Sequence, residues 1–192
     1  MSYEAQTWWV TGASSGIGAA LARELGARGA RVILSGRDEA RLADVAAGIT
    51  TDAITLPFDV RDHDAMLDAT DRAIGWVGAL DGFVANAGVS QRSRATKTAM
   101  QVYRDIIDID LVSQIAATQA LLPHLSGRGS GKLVFVSSIA GKVGTQMRTA
   151  YSAAKFGLAG YADALRGELS RDGIGVHVVY PGSIATNVSR NA

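Results

Sequence analysis

Residues 8–18 read WWVTGASSGIG, an apolar run that passes through a glycine-rich turn into a helical pattern. Trp8, Trp9 and Val10 predict a buried strand, and apolar residues recur every four positions in the helix that follows. Glycines let such a turn approach a phosphate closely, and the first amides of the helix attract negative charge. The segment predicts a strand–turn–helix unit that holds a dinucleotide pyrophosphate, although many such turns are glycine-rich for structural reasons alone.

The same alternation of short apolar runs and longer amphipathic stretches continues along the chain. Further strands are predicted at 31–35, 53–58, 80–85, 132–137 and 176–180, and helices at 16–28, 38–48, 62–74, 99–125 and 150–172. Strands rich in Val, Ile and Leu indicate a parallel sheet covered on both faces. Right-handed crossovers then predict an α/β fold with a doubly wound sheet, the Rossmann fold, in strand order 3-2-1-4-5-6.

Composition limits the remaining possibilities. The 192 residues predict a single domain, 1–192, and 19 Lys and Arg against 18 Asp and Glu leave no basic excess for a nucleic-acid partner. The absence of Cys excludes disulfides and thiol nucleophiles, and no metal site is predicted. Residues 1–6 do not resemble a signal peptide, and no apolar run reaches about 18 residues. We therefore expect a cytoplasmic protein without membrane contact.

Three polar residues form the candidate catalytic group. Ser138 ends the fifth predicted strand, and Tyr151 and Lys155 share one face of the next helix. A free tyrosine has a pKa of about 10, and a neighbouring ammonium lowers that pKa by favouring the phenolate. The Ser138 hydroxyl can bind the same substrate oxygen that Tyr151 protonates. The group predicts a site that moves a proton as a carbonyl and an alcohol are interconverted. The structural alternative is a tyrosine that only packs at the helix start and a lysine that is solvated.

A serine hydrolase is the rival chemical interpretation. Gly12-Ala13-Ser14-Ser15-Gly16 also fits the Gly-x-Ser-x-Gly turn that presents a nucleophilic serine. That chemistry needs a histidine on a loop beyond the sheet. His63 lies at a helix start, His124 near a helix end and His177 in a strand expected to be buried. Their placement argues against a hydrolase.

The chain resembles the short-chain dehydrogenase/reductase family over essentially its whole length, and is most similar to the dehydrogenase/reductase member-seven-like subgroup. The matching motifs are Thr11-Gly12-x-x-x-Gly16-x-Gly18, Asn86-Ala87-Gly88, Ser138, Tyr151-x-x-x-Lys155 and Pro181-Gly182. The resemblance implies an oxidoreductase that moves a hydride between nicotinamide C4 and a carbonyl or alcohol carbon of a small molecule. It also implies a homodimer or homotetramer.

The resemblance assigns roles to individual residues. Tyr151 is implied to be the catalytic acid/base, Lys155 to bind the nicotinamide ribose and lower the pKa of Tyr151, and Ser138 to hold the substrate oxygen. Cofactor contacts are implied for Gly12, Ser14, Ser15, Gly16, Ile17, Gly18, Asp59, Val60, Asn86, Ala87, Gly88, Tyr151, Lys155, Pro181, Gly182, Ile184 and Thr186.

The end of the second predicted strand indicates the preferred cofactor. An NAD enzyme normally places a carboxylate there to bind the ribose 2′-hydroxyl. This chain reads Ser35-Gly36-Arg37, and a guanidinium binds a 2′-phosphate well. The competing acid, Asp38, is better explained as the N-cap of the next helix. The sequence therefore predicts NADP(H) rather than NAD(H).

Two departures from the family bear on activity. Asp110 stands where the family usually carries Asn, in a proton relay that ends at Lys155. An ionised carboxylate near Lys155 would offset the effect of the ammonium on Tyr151 and shift the pH–rate profile toward alkaline pH, unless Asp110 points elsewhere into solvent. The family also continues beyond this length with a substrate-covering loop, a helix and a seventh strand. We expect a chain truncated at its C-terminus, and keep an NADP(H)-binding protein with weak or no catalysis as the alternative function.

Overall fold

Six parallel strands form one sheet in the order β3-β2-β1-β4-β5-β6 in a computed structural model that describes residues 2–184. The strands are β1 (Thr7–Thr11), β2 (Arg31–Ser35), β3 (Ala53–Thr55), β4 (Gly82–Ala85), β5 (Gly131–Val136) and β6 (Ile174–Val179). The predicted doubly wound sheet and its strand order are confirmed. The order reverses between β1 and β4, the position at which such sheets bind ligands.

Within residues 2–184, six α-helices cover the two faces of the sheet. They are α1 (Gly16–Ala27), α2 (Glu39–Ala47), α3 (His63–Val77), α4 (Met100–Ile107), α5 (Ser113–Arg128) and α6 (Thr149–Glu168). Side chains alternate across each strand, so Trp8 packs with α1 and α2 while Trp9 packs with α3, α5 and α6. Both indoles are buried, and each belongs to one of the two larger apolar cores of the described residues.

A π-helical turn interrupts the long helix that the sequence predicts at 99–125. The segment Asp108–Val112 separates α4 from α5, and its extra residue places Asp110 in the interior with no exposed surface. The Ser113 hydroxyl donates to the Ile109 carbonyl at 2.7 Å, a further hydrogen bond at this turn. Such π turns occur often at functional sites.

β3 and β6 differ most from what the sequence predicts, and the bounds of β4 and β5 shift by one or two residues. β3 ends at Thr55 rather than at residue 58, although the Leu56 and Phe58 amides still donate to the carbonyls of β2 and the following Gly36. Pro57 between them has no N–H to donate. His177, expected in a buried strand, is exposed. β6 is the last strand on its side of the described sheet, and Ile174, Val176 and Val178 face the core while His177 lies on the opposite face.

The segment Met100–Arg128, which comprises α4, the π turn and α5, is long and apolar enough to cross a membrane by length and composition. In the fold, Ala117, Leu121 and Leu125 of this segment are buried in the core. Core helices of soluble proteins pass the same test, so the feature is a weak indication of a membrane span.

Candidate active site

One cavity of about 790 Å³ opens at the carboxyl ends of the strands. All but two of the residues that the sequence predicts for the site line it, from the glycine turn after β1 to Lys155 on α6. The exceptions are Gly18, which lies beneath the turn, and Thr186, which lies outside the described residues. The fold therefore brings together the two groups that the sequence predicts, the phosphate-binding turn and the catalytic side chains.

The glycine turn is locked against the loop that follows β4. Gly12 has a φ of +64°, and a Cβ there would lie 2.9 Å from the Ala87 Cα. The Asn86 side-chain amide donates to the carbonyls of Thr11 at 3.0 Å and Gly12 at 3.3 Å. Ser15, the N-cap of α1, makes no side-chain capping bond, and the first turn holds no acidic residue. The turn thus offers unpaired amides to an anion, as a pyrophosphate requires.

Gly18 gives a direct test of this packing. A Cβ at Gly18 would overlap the Gly12 carbonyl oxygen, so Gly18→Ala is expected to lower the free energy of unfolding by about 1–3 kcal/mol. Gly75 in α3 is the matched control, because a Cβ there would meet nothing within 4 Å and alanine favours a helix by up to about 1 kcal/mol. Urea unfolding of both variants measures the difference. Equal free energies of unfolding would contradict the described turn.

The end of the cavity beside β2 carries basic groups. Arg37 follows the buried Gly36 and is exposed to the cavity, and Arg41, which sequence reasoning missed, lines the same end. Asp38 is the N-cap of α2, as predicted, because its Oδ1 accepts from the Arg41 amide at 3.1 Å. Hydrogen bonds from Arg61, with a smaller effect of the Arg37 charge, hold the pKa of Asp59 below its usual range.

Lys155 is buried and held in place at the catalytic end. Its Nζ donates to the Val136 carbonyl at 3.0 Å and lies 5.7 Å from the centre of the Tyr151 ring. Ser138 lines the same cavity, and its Oγ accepts from the Ala140 amide at 3.1 Å. Among residues 2–184, no hydrogen bond joins the Tyr151 hydroxyl to Ser138 or Lys155. The hydroxyl is therefore left for a ligand.

Asp110 forms a buried ion pair with Lys155. Its Oδ2 lies 3.2 Å from the Lys155 Nζ, without a hydrogen bond of good geometry, and its Oδ1 accepts from the Val89 amide at 2.8 Å. Complete burial raises the pKa of Asp110, while Lys155 and the Val89 amide oppose that rise. The alternative that Asp110 points into solvent is wrong. Gly88 leaves room for the carboxylate, because a Cβ there would lie 3.0 Å from Oδ2.

Gln91 positions Tyr151, a role that sequence reasoning missed. The Gln91 side chain is buried, and its Oε1 accepts from the Tyr151 amide at 3.1 Å. Its Nε2 donates to the Thr149 hydroxyl at 3.2 Å. Arg148, the N-cap of α6, makes no capping bond of its own, so Gln91 supplies the cap from the loop after β4. No periodicity marks such a residue, and its position shortly after Asn86-Ala87-Gly88 is the one available signal.

The structure gives Ser14 no histidine partner. Among the described residues, none of His63, His124 and His177 lines the cavity, and His124 instead accepts from the Leu80 amide at 3.2 Å. Burial is the largest cause that lowers the pKa of His124. Within residues 2–184 no three His, Asp or Glu side chains converge as a metal site would require. The hydrolase interpretation therefore has no general base.

A doubly wound sheet with a glycine-rich first turn and a Tyr–Lys pair in one cavity is the arrangement typical of Rossmann-fold oxidoreductases. The family model described as short chain dehydrogenase matches residues 6–192. The chain belongs to the short-chain dehydrogenase/reductase family, whose members use NAD(P) cofactors.

Relatives and solved structures agree with this assignment. Dehydrogenase/reductase SDR family member 7B of Danio rerio is 37% identical over 95% of this chain and 62% of its own length. A member-7-like protein of Drosophila melanogaster is 34% identical, and the match covers 95% of this chain and 58% of that protein. The chain thus spans about three fifths of the length of the curated relatives it matches. The predicted similarity to the member-seven-like subgroup is confirmed.

Among solved structures, a short-chain dehydrogenase from Streptomyces avermitilis superposes with a TM-score of 0.90 at 34% identity, over 95% of this chain and 68% of the other. Levodione reductase superposes with a TM-score of 0.95 at 26% identity, over 98% of this chain and 75% of the other.

Proposed function

We propose that the protein interconverts a ketone or aldehyde and an alcohol with NADP(H), using Tyr151 as the general acid/base. One observation carries this proposal: a single cavity joins the glycine turn at the start of α1 to Ser138, Tyr151 and Lys155. A binding site for a dinucleotide and a group able to move a proton therefore face the same space. A hydride and a proton are what carbonyl reduction consumes.

The described residues fit a nicotinamide dinucleotide. Gly12 lies so close to Ala87 that a side chain at position 12 would not fit, and the turn therefore presents backbone to a ligand. The first amides of α1 have no side-chain cap and suit a pyrophosphate. When bound, the cofactor supplies the hydride or accepts it. Lys155, Asn86, Ala87 and Gly88 line the same cavity and would hold the ribose and nicotinamide.

The chain's own groups handle the proton. The ammonium of Lys155, fixed by the Val136 carbonyl and by Asp110, lies beside the Tyr151 ring and would stabilise negative charge that develops on the Tyr151 oxygen during proton transfer. The Ser138 Oγ accepts from the Ala140 amide, which leaves the serine proton free to donate to the substrate oxygen. Reduction then places the Tyr151 proton on that oxygen, and oxidation removes it.

Arg37 supports a preference for NADP(H) over NAD(H). It is exposed at the β2 end of the cavity, pairs with no carboxylate among the described residues, and Ser14 and Arg41 line the same region. We expect Arg37→Asp to reduce kcat/KM for NADPH by about 10- to 100-fold and to improve use of NADH. Arg72→Asp on α3, outside the cavity, is the control. An unchanged ratio of NADPH to NADH activity in Arg37→Asp would contradict the cofactor preference.

An NADP(H)-binding protein with weak catalysis is the second candidate, and the buried Asp110 is the observation that favours it. A carboxylate 3.2 Å from the Lys155 Nζ offsets part of the positive charge that would activate Tyr151. Steady consumption of NADPH with a panel of aldehydes and ketones supports the enzyme. A change in NADPH fluorescence without turnover on any member of the panel supports the binding protein.

Asp110 also leads to a prediction for the pH dependence of an active enzyme. Its negative charge offsets part of the Lys155 charge that would stabilise negative charge on the Tyr151 oxygen, so we expect the kcat–pH profile of the parent to lie at higher pH than that of Asp110→Asn. The amide keeps an acceptor for the Val89 amide and removes the charge. The measurement is kcat against pH for both proteins. Superimposable profiles would show that Asp110 has no electrostatic effect on Tyr151.

The proposed oligomeric state and location complete the proposal. A homodimer or homotetramer would cover exposed apolar residues such as Phe156 on α6 and Val112 beside α5, which are 45% and 38% exposed. Light scattering of the purified protein measures its mass in solution. The cytoplasmic location without membrane or nucleic-acid contact stays a prediction.

A further inference from the structure

Arg148 is a cation at the catalytic end of the cavity whose guanidinium is largely unused. It immediately precedes α6, lines the cavity, and its guanidinium carbon lies 5.8 Å from the centre of the Tyr151 ring. Its Nη1 donates to the Ser90 hydroxyl, and no other side-chain hydrogen bond of Arg148 is made within residues 2–184. Nε and Nη2, one edge of the guanidinium, are therefore free to bind a ligand.

The charges around the cavity show why this cation matters. Asp38 pairs with Arg41, Asp59 with Arg61 and Asp110 with Lys155. Among the charged residues of the described cavity lining, Arg37 and Arg148 have no carboxylate partner. Arg37 lies at the end proposed for the cofactor phosphate. Arg148 leaves one uncompensated positive charge beside Tyr151, where the substrate would bind.

The guanidinium is also held in place before any ligand arrives. Ser90 is buried and precedes Gln91, whose side chain caps α6 at Tyr151. The Arg148 amide donates to the Thr145 carbonyl at 3.2 Å, which fixes its backbone on the other side. A half-buried arginine restrained in this way loses little conformational freedom on binding an anion. The Arg148–Ser90 pair thus has the properties of a preformed oxyanion-binding group.

We infer that the site prefers carbonyl substrates that carry an oxyanion, a carboxylate or a phosphate ester, bound by the Nε and Nη2 edge of Arg148. The inference rests on the function proposed above. The exposed side chains of Ile139 and Ile184 also line the cavity and provide apolar contact for the carbon chain of such a substrate. In reduction, the hydride forms the new C–H bond, the Tyr151 proton forms the O–H bond, and the carbonyl π bond breaks. The oxyanion remains unchanged throughout.

Matched pairs of substrates test this inference. Straight-chain 4-oxo acids are compared with their methyl esters, and hydroxyacetone phosphate with hydroxyacetone, using NADPH. The parent protein should have the higher kcat/KM for an anionic member. In Arg148→Gln, the ratio of kcat/KM for that anion to its neutral partner should fall by about 10- to 100-fold, mainly through KM. Lys142→Gln is the control, because this exposed lysine contacts the Tyr180 ring and does not line the cavity.

The possible outcomes separate this inference from the proposed function. If Arg148→Gln lowers kcat/KM equally for the anion and for its neutral partner, Arg148 is a positioning residue for Tyr151 and the inference is overturned. A parent that prefers both neutral partners would also overturn it. If NADPH binds but no compound is reduced, the proposed function fails. In that case calorimetry, which measures binding of the same compounds to the NADP⁺ complex, decides the inference. Tighter binding of an anion that Arg148→Gln abolishes supports it, and equal binding of anion and neutral partner overturns it.

Discussion

Tyr151→Phe is expected to lower kcat for carbonyl reduction by about 10²- to 10⁴-fold while the Kd for NADPH stays nearly unchanged. The substitution removes one hydroxyl, and with it the proton donor. The ring remains, so its contacts with Lys155 and Arg148, both within 6 Å of the ring centre, are kept. The Gln91 cap is also kept, because Gln91 binds the backbone amide of residue 151. A loss of rate therefore reports on proton transfer rather than on folding.

Tyr161→Phe is the matched control for this experiment. Tyr161 lies on the same helix, packs edge-on against Phe135 with ring centres 5.8 Å apart, and does not line the cavity. It should keep the parent kcat. Fluorescence titration with NADPH and initial rates on the best carbonyl substrate measure both variants. Parent-like turnover by Tyr151→Phe would remove Tyr151 from the proposed chemistry.

Lys155→Met should destabilise the protein by about 3–5 kcal/mol, because it leaves the buried Asp110 carboxylate without its counterion. Lys155 is 3% exposed and Asp110 is fully buried, so little solvent reaches either charge. Adding Asp110→Asn to Lys155→Met removes the uncompensated charge and keeps the acceptor for the Val89 amide. The double variant should therefore recover most of the lost stability, although neither protein is expected to catalyse efficiently.

An exposed ion pair provides the control for Lys155→Met. Arg72 and Asp68 on α3 lie 3.5 Å apart, with side chains 59% and 69% exposed. Arg72→Met should change the free energy of unfolding by less than about 1 kcal/mol. Urea unfolding of the four proteins gives the comparison. Two results would contradict a buried charge pair. In the first, Lys155→Met has the same free energy of unfolding as Arg72→Met. In the second, the double variant is not more stable than Lys155→Met.

The sequence predicts the sheet and the two ends of its cavity for identifiable reasons. Val, Ile and Leu runs mark the buried parallel strands, and the glycine turn and Ser138 both follow strand ends, which meet at one edge of a parallel sheet. The four-residue spacing places Tyr151 and Lys155 on one helix face. The cavity then follows from the strand order, because β1 and β4 are adjacent at the point where the order reverses.

Other features depend on contacts that spacing does not reveal. The π turn adds one residue to a helix without a visible change in its apolar pattern, so the burial of Asp110 could not be predicted. Gln91 and Tyr151 are 60 residues apart, and Ser90 and Arg148 are 58 apart. Each pair meets only because the loop after β4 lies against the start of α6. The exposure of His177 likewise depends on which strand is last in the described sheet.

Isotope transfer tests the central claim most directly. NADPH carrying deuterium on C4, prepared separately in each of its two stereochemical forms, is incubated with the purified protein and its best carbonyl substrate, and the alcohol is analysed by mass spectrometry. With one of the two forms, the alcohol should gain one mass unit at the former carbonyl carbon, while Tyr151→Phe forms little product. Alcohol without deuterium from either form, or no alcohol from any aldehyde or ketone despite bound NADPH, would contradict hydride transfer at this site.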